Sequence, residues 1–148
     1  MNNVFVLYSL AVVTFMFSIG CKDSGVHVKN VEFLNTTWKL ESFETVGVGA
    51  TRIQDGRVYS ITFLPDTIAR VRADCNDCMT NYQTLGSGTD PQIAVKILYC
   101  TEVYCGSESL DWRFLNGLRD ATNYRIQGDL LHIYYNQKIE VLNFRAQQ

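Results

Sequence analysis

Residues 124–134 read YRIQGDLLHIY and carry the clearest hairpin signal in the chain. Two runs of aromatic and aliphatic residues flank Gly128 and Asp129, and such residues suit the pleated surface of a strand. Glycine reaches the positive φ that a two-residue hairpin loop requires. We therefore predict strands at 124–127 and 130–134 that are joined by a tight turn.

Similar signals recur from residue 37 onward. Proline presets one turn dihedral and aspartate caps the backbone beyond it, so Pro65-Asp66 predicts a second hairpin. Asn136-Gln137 predicts a third. Six further strands are expected where aromatic and β-branched residues cluster between turn residues, at 37–43, 57–64, 67–73, 82–85, 93–99 and 138–144.

One segment, 107–121, has a helical pattern instead. Its apolar residues recur at helical spacing, at Leu110, Phe114, Leu115 and Leu118. Ser107 can accept a backbone N–H at the start of this helix. We expect the apolar stripe to cover one opening of a curled sheet. The predicted fold class is α+β and mainly β, a curved antiparallel sheet or cracked β-barrel closed by one helix.

The first twenty residues have the composition of an export signal. Residues 4–19 carry no charge, and this run is shorter than a membrane-spanning helix. It ends in Ser18-Ile19-Gly20-Cys21, which resembles the lipobox, where small residues precede a cysteine that receives diacylglycerol before cleavage. We expect Cys21 to carry the lipid and to become the first residue of the mature chain. The alternatives are an ordinary secretory signal and a retained N-terminal anchor.

This interpretation divides the chain into a signal peptide (1–20), a lipidated tether (21–31) and one domain (32–148). The tether is short and polar, which suits a segment that holds a domain away from a bilayer. The membrane, reached through the lipid on Cys21, is the first predicted partner. The expected location is the cell envelope, lipid-anchored at the outer membrane. The sequence favours neither a periplasmic nor a surface-facing orientation.

The domain contains four cysteines, Cys75, Cys78, Cys100 and Cys105, an even number in a chain expected to be exported. Two disulfides are the natural inference. Of the three possible pairings we expect the nested one, Cys75 with Cys105 and Cys78 with Cys100, because partners on antiparallel strands have residue numbers with nearly equal sums. Four thiolates could instead bind a structural zinc ion. An oxidising compartment disfavours that, and flanking aspartates disfavour a redox-active dithiol.

The order of these signals resembles the META-domain family, also called HslJ-like, over nearly all of residues 35–145. The resemblance rests on Thr37-Trp38-Lys39-Leu40, Cys75-Asn76 with Tyr82, Cys100-Thr101 through Cys105, Phe114-Leu115 with Leu118, the segment 124–130, and Leu142-Asn143-Phe144. Many members are bacterial lipoproteins or stress-associated exported proteins. The resemblance implies a curved antiparallel sheet or cracked barrel closed by a helix. It implies no catalytic residue.

Charge and missing motifs exclude several functions. Lys and Arg number 13 against 15 Asp and Glu, and a net charge of -2 provides no field for nucleic acid. The two histidines, His27 and His132, are too few and too far apart in sequence to suggest a metal site or a nucleophile. The chain has no nucleophile elbow, phosphate loop or zincin helix. We expect no catalytic residues, metal, cofactor or enzyme activity.

Binding is the remaining class of function. We predict a protein-interaction or stress-tolerance accessory of the envelope, whose partner docks on an exposed sheet edge or on the loop 86–91. The alternative is an apolar small ligand or lipid inside the curved sheet. Such a slot could draw on Tyr59, Phe63, Tyr82, Tyr99, Tyr104, Tyr124, Tyr134 and Tyr135. A third possibility is a structural spacer without a discrete ligand.

Overall fold

A computed structural model describes residues 32–54, 56–96 and 99–147. These residues form ten strands and one helix. In chain order they are β1 (Thr37–Thr45), β2 (Gly49–Arg52), β3 (Tyr59–Phe63), β4 (Ile68–Ala73), β5 (Asn76–Leu85), β6 (Gln92–Val95), β7 (Tyr99–Cys100), α1 (Asp111–Arg119), β8 (Ala121–Gln127), β9 (Leu130–Tyr135) and β10 (Glu140–Ala146). The predicted signal peptide and tether, with Cys21, lie outside the described residues.

Eight of the strands close into an antiparallel barrel. The ring runs β1, β3, β4, β5, β6, β8, β9, β10 and back to β1. The closing pair, β1 with β10, extends from Trp38 opposite Ala146 to Thr45 opposite Glu140. The expected curved sheet or cracked barrel is therefore wrong, because the two outermost strands pair with each other and leave no open edge between them. The mainly β architecture with one helix is confirmed.

The predicted turns are confirmed. Between β3 and β4, the Leu64 N–H donates to the Ile68 carbonyl at 2.8 Å. Gly128, between β8 and β9, has a φ of 63°. Asn136 and Gln137, between β9 and β10, have φ values of 48° and 56°. Local turn chemistry thus explains why these strands, which follow one another in the sequence, also pair with one another in the barrel.

Some strand boundaries differ from the prediction. The short strand β2 was not expected and pairs with the second half of β1, while β7 pairs with the start of β5. Strand β5 begins at Asn76, well before the predicted 82–85, because polar residues there still complete the ladder with β4. The predicted strand 93–99 is two elements, since β6 ends at Val95 and β7 begins at Tyr99.

Helix α1 is shorter than predicted, and Ser107 does not cap it. The N-cap residue is Leu110, which has no side-chain cap. Its N–H donates instead to the Tyr59 hydroxyl at 2.8 Å. Before it, the Ser109 N–H donates to the Gly106 carbonyl at 3.2 Å, so the chain turns here and enters the helix only afterwards.

Inward-facing side chains fill the barrel. The largest fully buried ones are Trp38, Leu40, Phe43, Tyr59, Ile61, Phe63, Phe114, Leu118, Leu131, Ile133, Leu142 and Phe144. The Phe114 ring of α1 lies 5.5 Å from the Tyr59 ring and 6.2 Å from the Phe144 ring, between centroids. The helix therefore covers one opening of the barrel with its apolar stripe, as predicted.

Strand directions define two ends of the barrel. Glu32 leads into β1 at one end, where the Asn35 N–H donates to the Phe63 carbonyl at 2.8 Å. We name this the Glu32 end. Tyr59, at the other end of β3, is in register with Ala73, which is in register with Asn76. Tyr59 also contacts the start of α1, so the beginning of β5 lies at what we name the helix end.

Candidate functional site: a loop held by two disulfides

The loop that precedes α1 is bonded to the start of β5 by two disulfides. Cys75 is bonded to Cys105 and Cys78 to Cys100, with Cα–Cα distances of 5.6 and 4.0 Å. This is the nested pairing expected from the sequence, and Cys78 is in register with Cys100 across β5 and β7. The four thiols that a zinc site would need are used in these bonds. We name residues 100–105 the cystine loop.

The buried side chain of Asn76 holds the cystine loop from inside. Its Nδ2 donates to the Val103 carbonyl at 3.0 Å and contacts the Cys105 Sγ at 3.3 Å. Its Oδ1 accepts from the Val103 N–H at 2.8 Å and from the Thr101 hydroxyl at 3.0 Å. An amide offers two donors and one acceptor oxygen with two lone pairs, so this side chain is fully used. Sequence reasoning noted Asn76 only as part of a family motif and missed this role.

An ion pair holds the end of the cystine loop. The Arg57 guanidinium bonds to the Asp74 carboxylate and donates to the Cys105 carbonyl at 2.8 Å. The Arg72 Nε donates to the Asp74 carbonyl at 2.7 Å. Because the pair is mostly removed from solvent, it is screened less than a surface pair. Covalent, hydrogen-bonded and ionic contacts therefore all fix the same short loop.

The rigid cystine loop presents apolar side chains to solvent. Tyr104 is 84% exposed and Val103 is 55% exposed. Beside the loop, Tyr99 of β7 is in register with Met79 of β5, and both side chains are exposed. The exposed apolar surface of these side chains contributes nothing to the stability of the fold, because it stays in contact with water. An apolar surface on a fixed backbone is typical of a protein-binding site.

Exposed apolar residues concentrate at the helix end of the described structure. Val46, Val48, Val58, Val103, Tyr104, Trp112 and Ile139 lie on loops or on the helix there. The β1–β2 and β9–β10 turns meet through the Val46 N–H, which donates to the Ile139 carbonyl at 2.8 Å. Leu85 is the exposed large apolar residue toward the Glu32 end. The two ends of the barrel therefore differ in chemistry.

The charges around the cystine loop are mainly acidic. Glu102 precedes Val103 in the loop, Glu108 follows the loop in the chain, and both are exposed. Two basic groups nearby have acidic partners: Arg57 pairs with Asp74, and Arg72 lies 2.7 Å from Asp77. A third, Arg70, is exposed and in register with Met79. A partner that covers the loop would therefore meet an apolar centre with an acidic rim.

The aromatic residues predicted for an apolar slot do not form one site. Phe63, Tyr82 and Tyr124 surround Phe33 at the Glu32 end, and the ring centroids of Phe33 and Phe63 are 4.3 Å apart. Burial raises the pKa of Tyr82 and of Tyr124. Of the others, Tyr59 and Tyr135 are buried, Tyr134 is half-buried, and Tyr99 and Tyr104 are exposed. Sequence reasoning missed Phe33, which precedes the first strand.

The other two docking positions predicted from the sequence are loop 86–91 and an exposed sheet edge. Loop 86–91 is mostly exposed, but the Asp90 carboxylate accepts from the Lys138 ammonium at 2.6 Å and from the Asn123 amide at 3.2 Å. Barrel closure leaves free sheet edges on the short strands, since among the described residues β7 pairs only with β5. Within the described residues, β2 pairs only with β1 and keeps one free edge.

Two further observations concern the described residues alone. No helix among them is long and apolar enough to cross a membrane. In the same residues, no group of three or more His, Cys, Asp or Glu side chains is placed to hold a metal ion.

Fold and site define a small, closed, eight-stranded antiparallel barrel with one short helix and a disulfide-bonded surface loop. The family model of the META domain matches residues 30–148. The chain therefore belongs to the META-domain family, as the sequence motifs predict.

Two solved structures share the fold. An NMR structure of a protein from Burkholderia xenovorans has a TM-score of 0.62 and 19% identity, covering 78% of this chain and 84% of that one. A crystal structure of a DUF4847 family protein from Bacteroides vulgatus has a TM-score of 0.57 and 15% identity, covering 76% and 93%. At these identities the likeness is one of fold alone. No curated protein matches the chain.

Proposed function

We propose that this protein is a lipid-anchored lipoprotein of the bacterial envelope that acts as a non-enzymatic interaction module. The lipid is attached to Cys21, and a partner protein binds the cystine loop. The uncharged run 4–19 and the lipobox-like residues before Cys21 support export and lipidation. Two disulfides in a chain of this size fit an oxidising compartment outside the cytoplasm.

The observation that carries the proposal is the position of the cystine loop relative to Glu32. The described chain begins at the Glu32 end, and the loop lies at the helix end. A tether of residues 22–31 spans at most about 35 Å when extended. A lipid on Cys21 would thus keep the Glu32 end within about 35 Å of the bilayer, and the helix end would be the end opposite this attachment. Exposed apolar residues at the end opposite the attachment are placed to meet another protein.

The proposed partner is a protein with an apolar pocket and a basic rim. Tyr104 and Val103 would fill the pocket, and Glu102 with Glu108 would face the basic groups. Tyrosine is among the residues that contribute most at protein interfaces. Because disulfides and Asn76 already fix the loop, little conformational entropy is lost on binding.

Photocrosslinking in intact cells tests the proposal. Benzoylphenylalanine replaces Tyr104 in one strain and Leu85 in a control strain; both residues are exposed, but Leu85 lies toward the Glu32 end. We expect a discrete crosslinked protein from position 104 and none, or a much weaker one, from position 85. Equal crosslinking from both positions, or none from 104, would contradict docking at the cystine loop. An absence of crosslinked protein from position 104 would favour the alternative that the domain is a structural spacer without a discrete ligand.

A further inference from the structure

The two disulfides of the cystine loop differ in their access to solvent. The inner bond contains Cys78, which is 6% exposed and belongs to the core of the barrel, and its partner Cys100 packs against that core. In the outer bond, Cys75 and Cys105 are both half-buried, and the contacts of their sulfurs with the Val103 carbonyl are exposed. A thiol in solution can therefore reach the outer bond more readily than the inner one.

The two sulfurs of the outer bond have different hydrogen-bond donors around them. The Cys105 Sγ accepts from the Cys75 N–H and from the Asn76 amide, each at 3.3 Å. In the part of the chain that the structure describes, no N–H donates to the Cys75 Sγ. The Val103 carbonyl does not distinguish the sulfurs, because it lies 3.6 Å from one and 3.5 Å from the other. The fold thus stabilises negative charge on Cys105 and not on Cys75.

This asymmetry determines which sulfur leaves in thiol–disulfide exchange. An attacking thiolate bonds to one sulfur, and the other sulfur leaves with the electron pair of the broken bond. The exchange is faster when the leaving thiolate is more stable. Because two N–H groups already point at the Cys105 Sγ, they stabilise the charge as it develops there without a rearrangement of the loop. Cys105 is therefore the better leaving group, and the Cys75 Sγ is the sulfur to be attacked.

The aspartates that disfavour such chemistry in the sequence have cationic partners in the folded protein. The Asp74 carboxylate bonds to the Arg57 guanidinium, and the Asp77 carboxylate lies 2.7 Å from the Arg72 guanidinium. A carboxylate beside a guanidinium repels a nearby thiolate less than a free carboxylate does. These aspartates therefore do not exclude a reactive disulfide in the folded protein.

Two other acids near the outer bond discriminate between incoming thiols by their charge. Glu102 lies within the cystine loop, and Glu108 follows Cys105 in the chain. Both are exposed, and neither has an ion-pair partner among the described residues. They repel a thiol with net negative charge, such as glutathione, whereas an uncharged or cationic thiol meets no such repulsion.

We propose that the Cys75–Cys105 disulfide is a thiol-exchange site for an uncharged or cationic thiol. The incoming thiol loses its proton to water, its sulfur bonds to the Cys75 Sγ, and the electron pair of the broken bond leaves on the Cys105 Sγ. The product is a mixed disulfide at Cys75 with the inner bond intact. The end of the cystine loop then loses its covalent link to the start of β5. This exchange depends on the disulfide alone and is independent of the proposed docking of a partner protein.

Mass spectrometry of the full-length, oxidised protein in detergent tests the proposal. The protein is exposed briefly to cysteamine, mercaptoethanol or glutathione at equal thiolate concentration, and iodoacetamide then traps the freed thiols. Peptide mapping should find the adduct at Cys75 and the alkyl group at Cys105, with Cys78–Cys100 unopened. The cationic and uncharged thiols should react faster than glutathione, and added salt should reduce this difference because it screens the acids.

Variants distinguish leaving-group stabilisation from simple exposure of the bond. Asn76→Ala should lower the ratio of adduct at Cys75 to adduct at Cys105 about three- to tenfold, because it removes one of the two donors to the leaving sulfur. A loop that is merely looser would react faster at both sulfurs without this change in ratio. Asn81→Ala, on the exposed side of the same strand, should keep the wild-type ratio.

Replacing Glu102 and Glu108 together by glutamine should bring the rate with glutathione close to the rate with mercaptoethanol. The proposal is wrong if the wild-type protein forms no adduct, if the inner bond opens first, or if adducts form equally at Cys75 and Cys105. An unchanged adduct ratio in Asn76→Ala would equally contradict it.

Discussion

Replacing Asn76 by alanine should loosen the cystine loop while both disulfides stay intact. The Asn76 side chain is 5% exposed and makes three hydrogen bonds to nitrogen or oxygen atoms of the loop, besides its contact with sulfur. Each such bond contributes about 1 kcal/mol net, so their loss should lower the free energy of unfolding by about 3 kcal/mol. Val103 is half exposed, so water can reach its freed backbone groups and limits any further penalty.

Guanidinium denaturation of the oxidised protein, followed by the fluorescence of buried Trp38, measures this loss. Asn81→Ala is the matched control, because Asn81 lies on the same strand with its side chain exposed. The control should stay within about 0.5 kcal/mol of the wild type. Crosslinking from position 104 should also fall in Asn76→Ala. An unchanged midpoint and slope in Asn76→Ala would refute the reasoning and show that the disulfides alone hold the loop.

Other perturbations follow from the same contacts. Replacing Cys78 and Cys100 by alanine should lower the free energy of unfolding by about 2 to 3 kcal/mol. The change opens a loop whose ends are 22 residues apart, while the Cys75–Cys105 bond still closes an overlapping loop. Chemical denaturation of the variant and the wild type measures this loss. Burial raises the pKa of Tyr135 to about 12 in the folded protein, against an ordinary value of 10.0 that we take for the unfolded chain. The stability that its neutral phenol contributes is therefore complete below pH 10 and is lost as the pH rises through 12. Tyr135→Phe should therefore lose less stability over that window, by on the order of 2 kcal/mol, in denaturation series at fixed pH. Tyr104→Ala should change stability by less than about 0.5 kcal/mol yet weaken partner binding about thirtyfold in a pull-down titration.

Local signals in the sequence predicted the parts of the fold that depend on neighbouring residues. The hairpin around Gly128-Asp129 follows from a backbone requirement that glycine meets, and Pro65-Asp66 acts in the same way. The Cys78–Cys100 disulfide follows from the antiparallel pairing of β5 with β7, and the Cys75–Cys105 bond encloses it in the same nested order. These features need no knowledge of the distant parts of the chain.

Features that join distant residues could not be predicted in this way. Barrel closure depends on pairing of β1 with β10, whose residues lie about a hundred positions apart and carry no local sign of each other. The start of α1 depends on the Tyr59 hydroxyl, which is distant in sequence, so Ser107 looked like the better cap. Asn76 reads as an ordinary polar residue until the disulfides bring Val103 beside it.

Metabolic labelling with palmitate, comparing the wild type with Cys21→Ala, tests the central claim most directly. The proposed orientation of the cystine loop depends on a lipid at Cys21, and the oxidised state of the four domain thiols depends on export. We predict that the wild type incorporates the label and fractionates with membranes, whereas Cys21→Ala incorporates none. An unlabelled wild-type protein, or equal labelling of both proteins, would contradict the proposed anchoring.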